Sequence, residues 1–186
     1  QLASIAFDLH QRTKLNYSFT PITRPGYFHL RDLKLMNKHT KKIIKAYDVN
    51  RDNIDELLNK SKNNIIIIGG ATSLYLYNKR LEGRAKHSDS IFVDNISLEY
   101  NSSSIEKAFV DLIKDLAINN EVILLYPIPE IGVNLQKKKF ENMVRVFNYK
   151  YSTFLSQNKE VINLFDSINH PKIHKVYSYR AFCDEK

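Results

Sequence analysis

The sequence predicts an α/β fold, three layers in the order α/β/α around a mostly parallel sheet. Strands that are apolar throughout alternate with segments of helical spacing, the pattern of βαβ units. The strands "IIII" at 65–68 and "EVILLY" at 121–126 show no polar alternation, as expected where both faces of a parallel sheet are covered. Glycines follow the first and Pro-Ile-Pro-Glu the second, so both end in turns.

In chain order, "QLASIAFDLHQRTK" spaces Leu2, Ile5, Ala6 and Leu9 as a helix. "LNYSFTPITRPG" reads as a short strand ended by Pro21 and a loop punctuated by Pro25-Gly26. Residues 34–60 are helical in pattern, with Met36, Ile43, Ile44 and Tyr47, then Ile54, Leu57 and Leu58, and a break expected at Asp48-Val49-Asn50. The Ile65–Ile68 strand follows. Residues 72–102 hold no clean period: a short helix is expected, then a polar excursion with "SIFVDN" as a candidate minor strand. Ser103 and Glu106 form an S-x-x-E capping box, opening a helix with Ile105, Phe109, Leu112, Ile113 and Leu116 on its apolar face. The second strand stops at Pro127, a helix-rich stretch covers 134–168, and "KIHKVYSY" is the last strand.

A chain of 186 residues is long enough for one domain, here 1–186, to bury a core without disulfides or metals. The balance of 28 Lys+Arg against 20 Asp+Glu gives +8, but the lysines are scattered and the densest run is Lys137-Lys138-Lys139. A nucleic-acid face needs a patch, so no nucleic-acid partner is expected. The longest apolar run falls far short of the roughly 20 residues of a membrane helix. Cys183 is the sole cysteine.

In open α/β sheets ligands bind beyond the carboxyl ends of the strands. That rule singles out Gly69, Gly70 and Thr72 after one strand and Pro129 and Glu130 after the other. The glycine turn lacks G-x-x-x-x-G-K-[ST] and G-x-G-x-x-G, so a phosphate cradle is not expected. It suits either backbone N–H donors for an oxyanion or a tight turn without chemistry. Ser73 has no G-x-S-x-G elbow around it. The six histidines show no metal-ligand spacing, and neither metal nor cofactor is expected. Glu130 is either a site carboxylate or a helix cap. No complete catalytic set is visible from the residues alone.

Three segments together resemble the SGNH domain at the C-terminus of acyltransferase-3 family proteins, membrane O-acyltransferases that modify cell-surface polysaccharides such as lipopolysaccharide and peptidoglycan. They are "IIIIGGATSLYLY", "YPIPEIGVNLQKKKF" and "VYSYRAFCD", in family order over nearly the whole chain. The resemblance implies an SGNH-hydrolase-like (flavodoxin-like) fold. It also implies a Ser ester intermediate, a polysaccharide acceptor, and an acyl donor, acetyl in the first instance, delivered by an upstream membrane acyltransferase domain. The location implied is the extracytoplasmic (periplasmic) face of the inner membrane.

The family's Gly-Asp-Ser-His and Asp-x-x-His blocks are not in this sequence. The expectation is that the domain is incomplete at both ends, with the Ser nucleophile and the Asp/His pair outside residues 1–186 and the chain as given inert towards small esters. Where the family usually presents Gly-x-Asn-Asp, this sequence reads Gly69-Gly70-Ala71-Thr72, leaving Thr72 or a backbone N–H as substitute donor. The family pattern also implies a disulfide partner for Cys183 beyond Lys186. A free-standing SGNH esterase and a catalytically inactive carbohydrate-binding module are the alternatives.

Overall fold

A computed structural model describes residues 20, 22, 29–31, 33–37, 40–70, 72–77, 98–100, 104–128 and 151–181. Its centre is a three-stranded parallel sheet in the order β2-β4-β5, with β2 at Ile65–Ile68, β4 at Glu121–Leu125 and β5 at Ile173–Val176. Ile65 pairs with Glu121 and Ile68 with Leu124, while Val122 pairs with Ile173 and Leu125 with Val176. Parallel strands with intervening helices form the three-layer α/β class that the sequence predicts.

Helix α1 spans Lys45–Lys60, α2 Thr72–Tyr77, α3 Ile105–Asn119 and α4 Tyr151–Ser167. On α3 the buried residues are Phe109, Leu112, Ile113, Leu116 and Ala117, the i, i+3, i+4, i+7, i+8 stripe of an amphipathic helix. On α4 the stripe is Phe154, Val161 and Phe165. Phe165 stacks on Phe109 at 5.5 Å between ring centroids and meets Tyr126 edge-on at 5.2 Å, so α3, α4 and the end of β4 share one core. Val122 and Leu124 face inward with no exposed surface, and Ile123 and Leu125 are half-buried.

Below the sheet, at the amino ends of its strands, Asn120 is a buried latch, 3 % exposed. Its Oδ1 accepts from Ser61 Oγ and the Asn64 N–H, both at 3.1 Å, and its Nδ2 donates to the carbonyls of Ser61 (3.2 Å) and Leu116 (3.0 Å). Backbone bonds continue from there along β4. The Glu121 N–H reaches Asn64 O on the β2 side, while the N–H groups of Val122 and Tyr126 reach Lys172 O and Val176 O on the β5 side.

Several elements differ from expectation. Residues 34–37 and 40–44 are not helical: Leu35–Asn37 is a strand, β1, paired antiparallel with an unanticipated strand β3 at Leu98–Tyr100, apart from the main sheet. Met36 and Ile43, seven apart and read as one helical face, instead face each other across an antiparallel bridge. Asn37 explains this, because its Oδ1 accepts from the Thr40 N–H at 2.9 Å and its carbonyl from the Lys41 N–H at 2.8 Å, with Lys41 at φ 54°. An asparagine that bonds its own backbone in this way builds a turn at the expense of a helix. The break at Asp48-Val49-Asn50 is likewise absent, and α1 runs unbroken through it.

The N-cap of α3 is Ser104, one residue later than expected, and its side chain makes no capping bond, so the capping box is not built on it. Glu106 still lies in the first turn, favourable beside the helix N-terminus. Strand β2 is less covered than its four isoleucines suggest: Ile65 is 58 % exposed and the others half-buried, since among the described residues only β4 pairs with it. The last strand ends at Val176, and Ser178–Ala181 is a 3-10 turn. The N-terminal helix, the "SIFVDN" strand, the first half of the 134–168 stretch and Cys183 lie outside the described residues.

Candidate functional site

The register puts Ile68 beside Leu124 and Leu125 beside Val176, so Gly69-Gly70, Tyr126-Pro127-Ile128 and Tyr177-Ser178 leave the same carboxyl edge of the sheet. Each glycine there has its own reason. A Cβ on Gly69 would lie 2.9 Å from Leu125 Cβ, closer than side chains approach. Gly70 has open space around it but sits at φ +138°, where an L side chain is strained. The chain then turns sharply, with the Thr72 N–H donating to Gly70 O at 2.9 Å, and enters α2.

Thr72 is 1 % exposed, and among the described residues its Oγ1 has no hydrogen-bond partner. Burying a hydroxyl without a partner costs about 1–3 kcal/mol. The next residue is fully engaged. Ser73 Oγ donates to Asn158 Oδ1 on α4 at 2.5 Å, and Asn158 Nδ2 donates to Phe154 O at 3.0 Å. One turn on, the Tyr77 hydroxyl donates to Glu160 O at 3.5 Å. Its proton is held well above the ordinary tyrosine range, by burial first and then by Glu106 and Glu160.

The other side of the edge is aromatic. Tyr126 is buried, and its hydroxyl donates to Asp166 Oδ1 at 2.5 Å. Burial, then the hydrogen bonds to Asp166 and Tyr177, push its ionisation upward. Its carbonyl accepts from Ser178 Oγ at 2.6 Å, extending the β4–β5 pairing past the last strand residue. Tyr177 packs 4.4 Å from the Tyr126 ring, and the Arg180 guanidinium lies 4.6 Å over the Tyr177 ring, a cation–π contact. Tyr179 ionisation is also raised, by burial first and then by Tyr151.

Three histidines are described, and each serves elsewhere. His29 Nε2 meets Asp55 Oδ1 at 3.0 Å, His170 Nδ1 accepts from the Lys172 N–H at 3.2 Å, and His174 Nε2 meets Glu121 Oε2 at 2.6 Å. Ser73 thus gives its proton to an amide, and no nucleophile–base pair forms on it. Among the described residues no His, Cys, Asp and Glu side chains gather as a metal centre, and no helix is long and apolar enough to cross a membrane.

Of the residues singled out in sequence, Gly69, Gly70 and Thr72 stand together at the predicted edge. Pro129 and Glu130 lie outside the described residues, two and three positions past buried Pro127. Asn158, Tyr126, Asp166 and Ser178 were not singled out. For Asn158 a signal existed: it is a polar residue on the apolar stripe of α4, between Phe154 and Val161.

A family model described as the SGNH domain, fused to AT3 domains, matches residues 5–186. The chain belongs to this SGNH family. No curated protein and no solved structure matches it. The resemblance of the three segments is therefore borne out at the level of the domain, and with it an acyltransferase-associated role. In this SGNH domain the turn after β2 carries no asparagine, and Thr72 Oγ1 is the polar side-chain atom there that is buried without a partner among the described residues.

Proposed function

We propose that this SGNH domain works in a bacterial membrane O-acyltransferase that moves an acyl group, acetyl in the first instance, onto a hydroxyl of cell-surface polysaccharide such as lipopolysaccharide or peptidoglycan. The family assignment over residues 5–186 carries this reading. In that chemistry a serine oxygen bonds to the acyl carbonyl carbon as the bond from that carbon to the donor breaks; a histidine takes the serine proton and passes it to the departing donor, and an aspartate orients the histidine. The sugar hydroxyl then attacks the Ser ester, its proton passing through the histidine to the serine oxygen as the bond from serine to acyl carbon breaks. Each step builds negative charge on the carbonyl oxygen. The Thr72 N–H is spent on Gly70 O, but the N–H groups of Gly69 and Gly70 and the buried Thr72 hydroxyl, at the carboxyl edge of the sheet, suit a donor role towards that oxygen. The acyl donor is delivered by an upstream membrane acyltransferase domain of the same protein, the acceptor reaches the site from the extracytoplasmic face, and Glu130 contacts the acceptor or the loop around the nucleophile.

The test is acyl transfer to purified polysaccharide by the full-length protein, compared with Glu130→Gln. We expect at least tenfold slower transfer, about 1.4 kcal/mol of transition-state stabilisation, with a nearly unchanged melting temperature. Unchanged transfer returns Glu130 to a loop role. Ester hydrolysis without transfer identifies an esterase, and sugar binding with neither reaction a binding module.

A further inference from the structure

We propose that Asn158 is a positioning residue that aims Thr72 at the reacting group by holding α2 in one rotation. The inference rests on the donor role proposed above for the turn after β2. Helix α2 is six residues long, too short to be stable by itself, so its orientation comes from what it is tied to. Two ties are visible, four residues apart and so on one face: Ser73 to Asn158 and Tyr77 to Glu160 O. Both run to α4. Thr72 precedes Ser73 directly, and successive side chains on a helix differ by about 100°, so fixing Ser73 fixes the direction of the Thr72 hydroxyl.

Asn158 is costly where it stands. It is 6 % exposed on a stripe otherwise made of Phe154, Val161 and Phe165, each at most 1 % exposed. A leucine there, with Ser73 reduced to alanine, would satisfy packing without any buried polar group. Replacing both members of a buried pair by apolar groups of similar shape is often neutral or stabilising. Cohesion alone therefore does not call for this pair. What an amide adds is direction: Nδ2 is committed to Phe154 O, which leaves Oδ1 turned to Ser73.

The experiment measures kcat, KM and melting temperature in the full-length protein for Ser73→Ala/Asn158→Leu, for Thr72→Val, and for the triple variant. We expect the pair variant to melt within a few degrees of wild type yet lose at least tenfold in kcat with KM little changed, as when an interaction made in the transition state is weakened. The triple variant should be no slower than the worse of the two others, since Asn158 acts through Thr72. Wild-type kcat in the pair variant, with Thr72→Val slow, overturns the positioning role alone. Wild-type kcat in Thr72→Val overturns the donor role of the turn. If the pair variant fails to fold, Ser73→Ala, which keeps the bond from Asn158 to Phe154, is read in its place against the same outcomes.

Discussion

Gly69 and Leu125 occupy neighbouring strand ends with no space for a methyl group between them: a Cβ on Gly69 would sit 2.9 Å from Leu125 Cβ and 3.2 Å from its Cδ1. The Cβ of Leu125 is fixed to the strand and cannot swing aside. Gly69→Ala should therefore cost about 1–3 kcal/mol as an overpacked contact. For a chain of this length that lowers the melting temperature by roughly 2–12 °C. Gly70→Ala should destabilise to a similar degree, about 1–3 kcal/mol, although nothing crowds it, because its φ of +138° is foreign to alanine. Leu125→Gly, which removes that Cβ as alanine would not, should relieve the added cost of the first variant and leave that of the second unchanged. Equal relief of both would refute the assignment of separate causes.

Alkaline pH should unfold the protein earlier than its lysines alone would dictate. Tyr77, Tyr126 and Tyr179 all hold their protons above the ordinary tyrosine pKa of about 10 when folded. Above that pH the unfolded chain loses these protons while the native state keeps them. Stability is thus full below pH 10 and falls as the pH rises past it, by up to roughly 1.4 kcal/mol per pH unit for the buried Tyr126. Tyr126→Phe should flatten the decline between pH 10 and 11.5 by about one proton's worth, while costing about 1–3 kcal/mol at neutral pH through the lost bond to Asp166. Urea midpoints across that range are the measurement, and parallel curves for the two proteins would contradict the buried, proton-holding Tyr126.

Asn120→Ala should be among the more damaging polar substitutions, at about 2–3 kcal/mol, since it strands the Asn64 N–H and two carbonyls in a part-buried corner. Ser61→Ala removes just one partner of that latch and should cost less than half as much. Equilibrium denaturation of the two variants decides it; equal losses would mean that the amide does no more than the hydroxyl.

The parallel sheet was legible because its strands advertise themselves locally. "IIII" is apolar and β-branched throughout and "EVILLY" is apolar after its first residue, without help from any distant residue, and the carboxyl-edge rule then located Gly69, Gly70 and Thr72. Strands β1 and β3 were not legible. Each has three residues, and they pair across some sixty residues of chain, so neither has a periodicity of its own. Met36, Ile43 and Ile44 imitate a helical face, and the asparagine that cancels the helix between them looks ordinary in a list of turn formers. Within the site, the hydroxyl of Tyr126 reads in sequence as the end of an apolar strand. Its partner, Asp166, lies 40 residues away on helix α4, and only packing brings them together.

The alternation of backbone bonds along β4 makes this strand a two-channel reporter of local opening. Its amides point in turn to either neighbour: Glu121 bonds towards β2, whereas Val122 and Tyr126 bond towards β5. Amide hydrogen exchange measured residue by residue on one strand thereby separates detachment of β2 from detachment of β5. Suppose that β2 comes away first, its pairing with β4 opening while that of β4 with β5 stays closed. Glu121, and Ile123 by the same two-residue period, would then exchange through a sub-global opening, while Val122 and Tyr126 await complete unfolding. The protection of Glu121 and Ile123 would then read the free energy that holds β2 in place, and that of Val122 and Tyr126 the free energy of unfolding the whole.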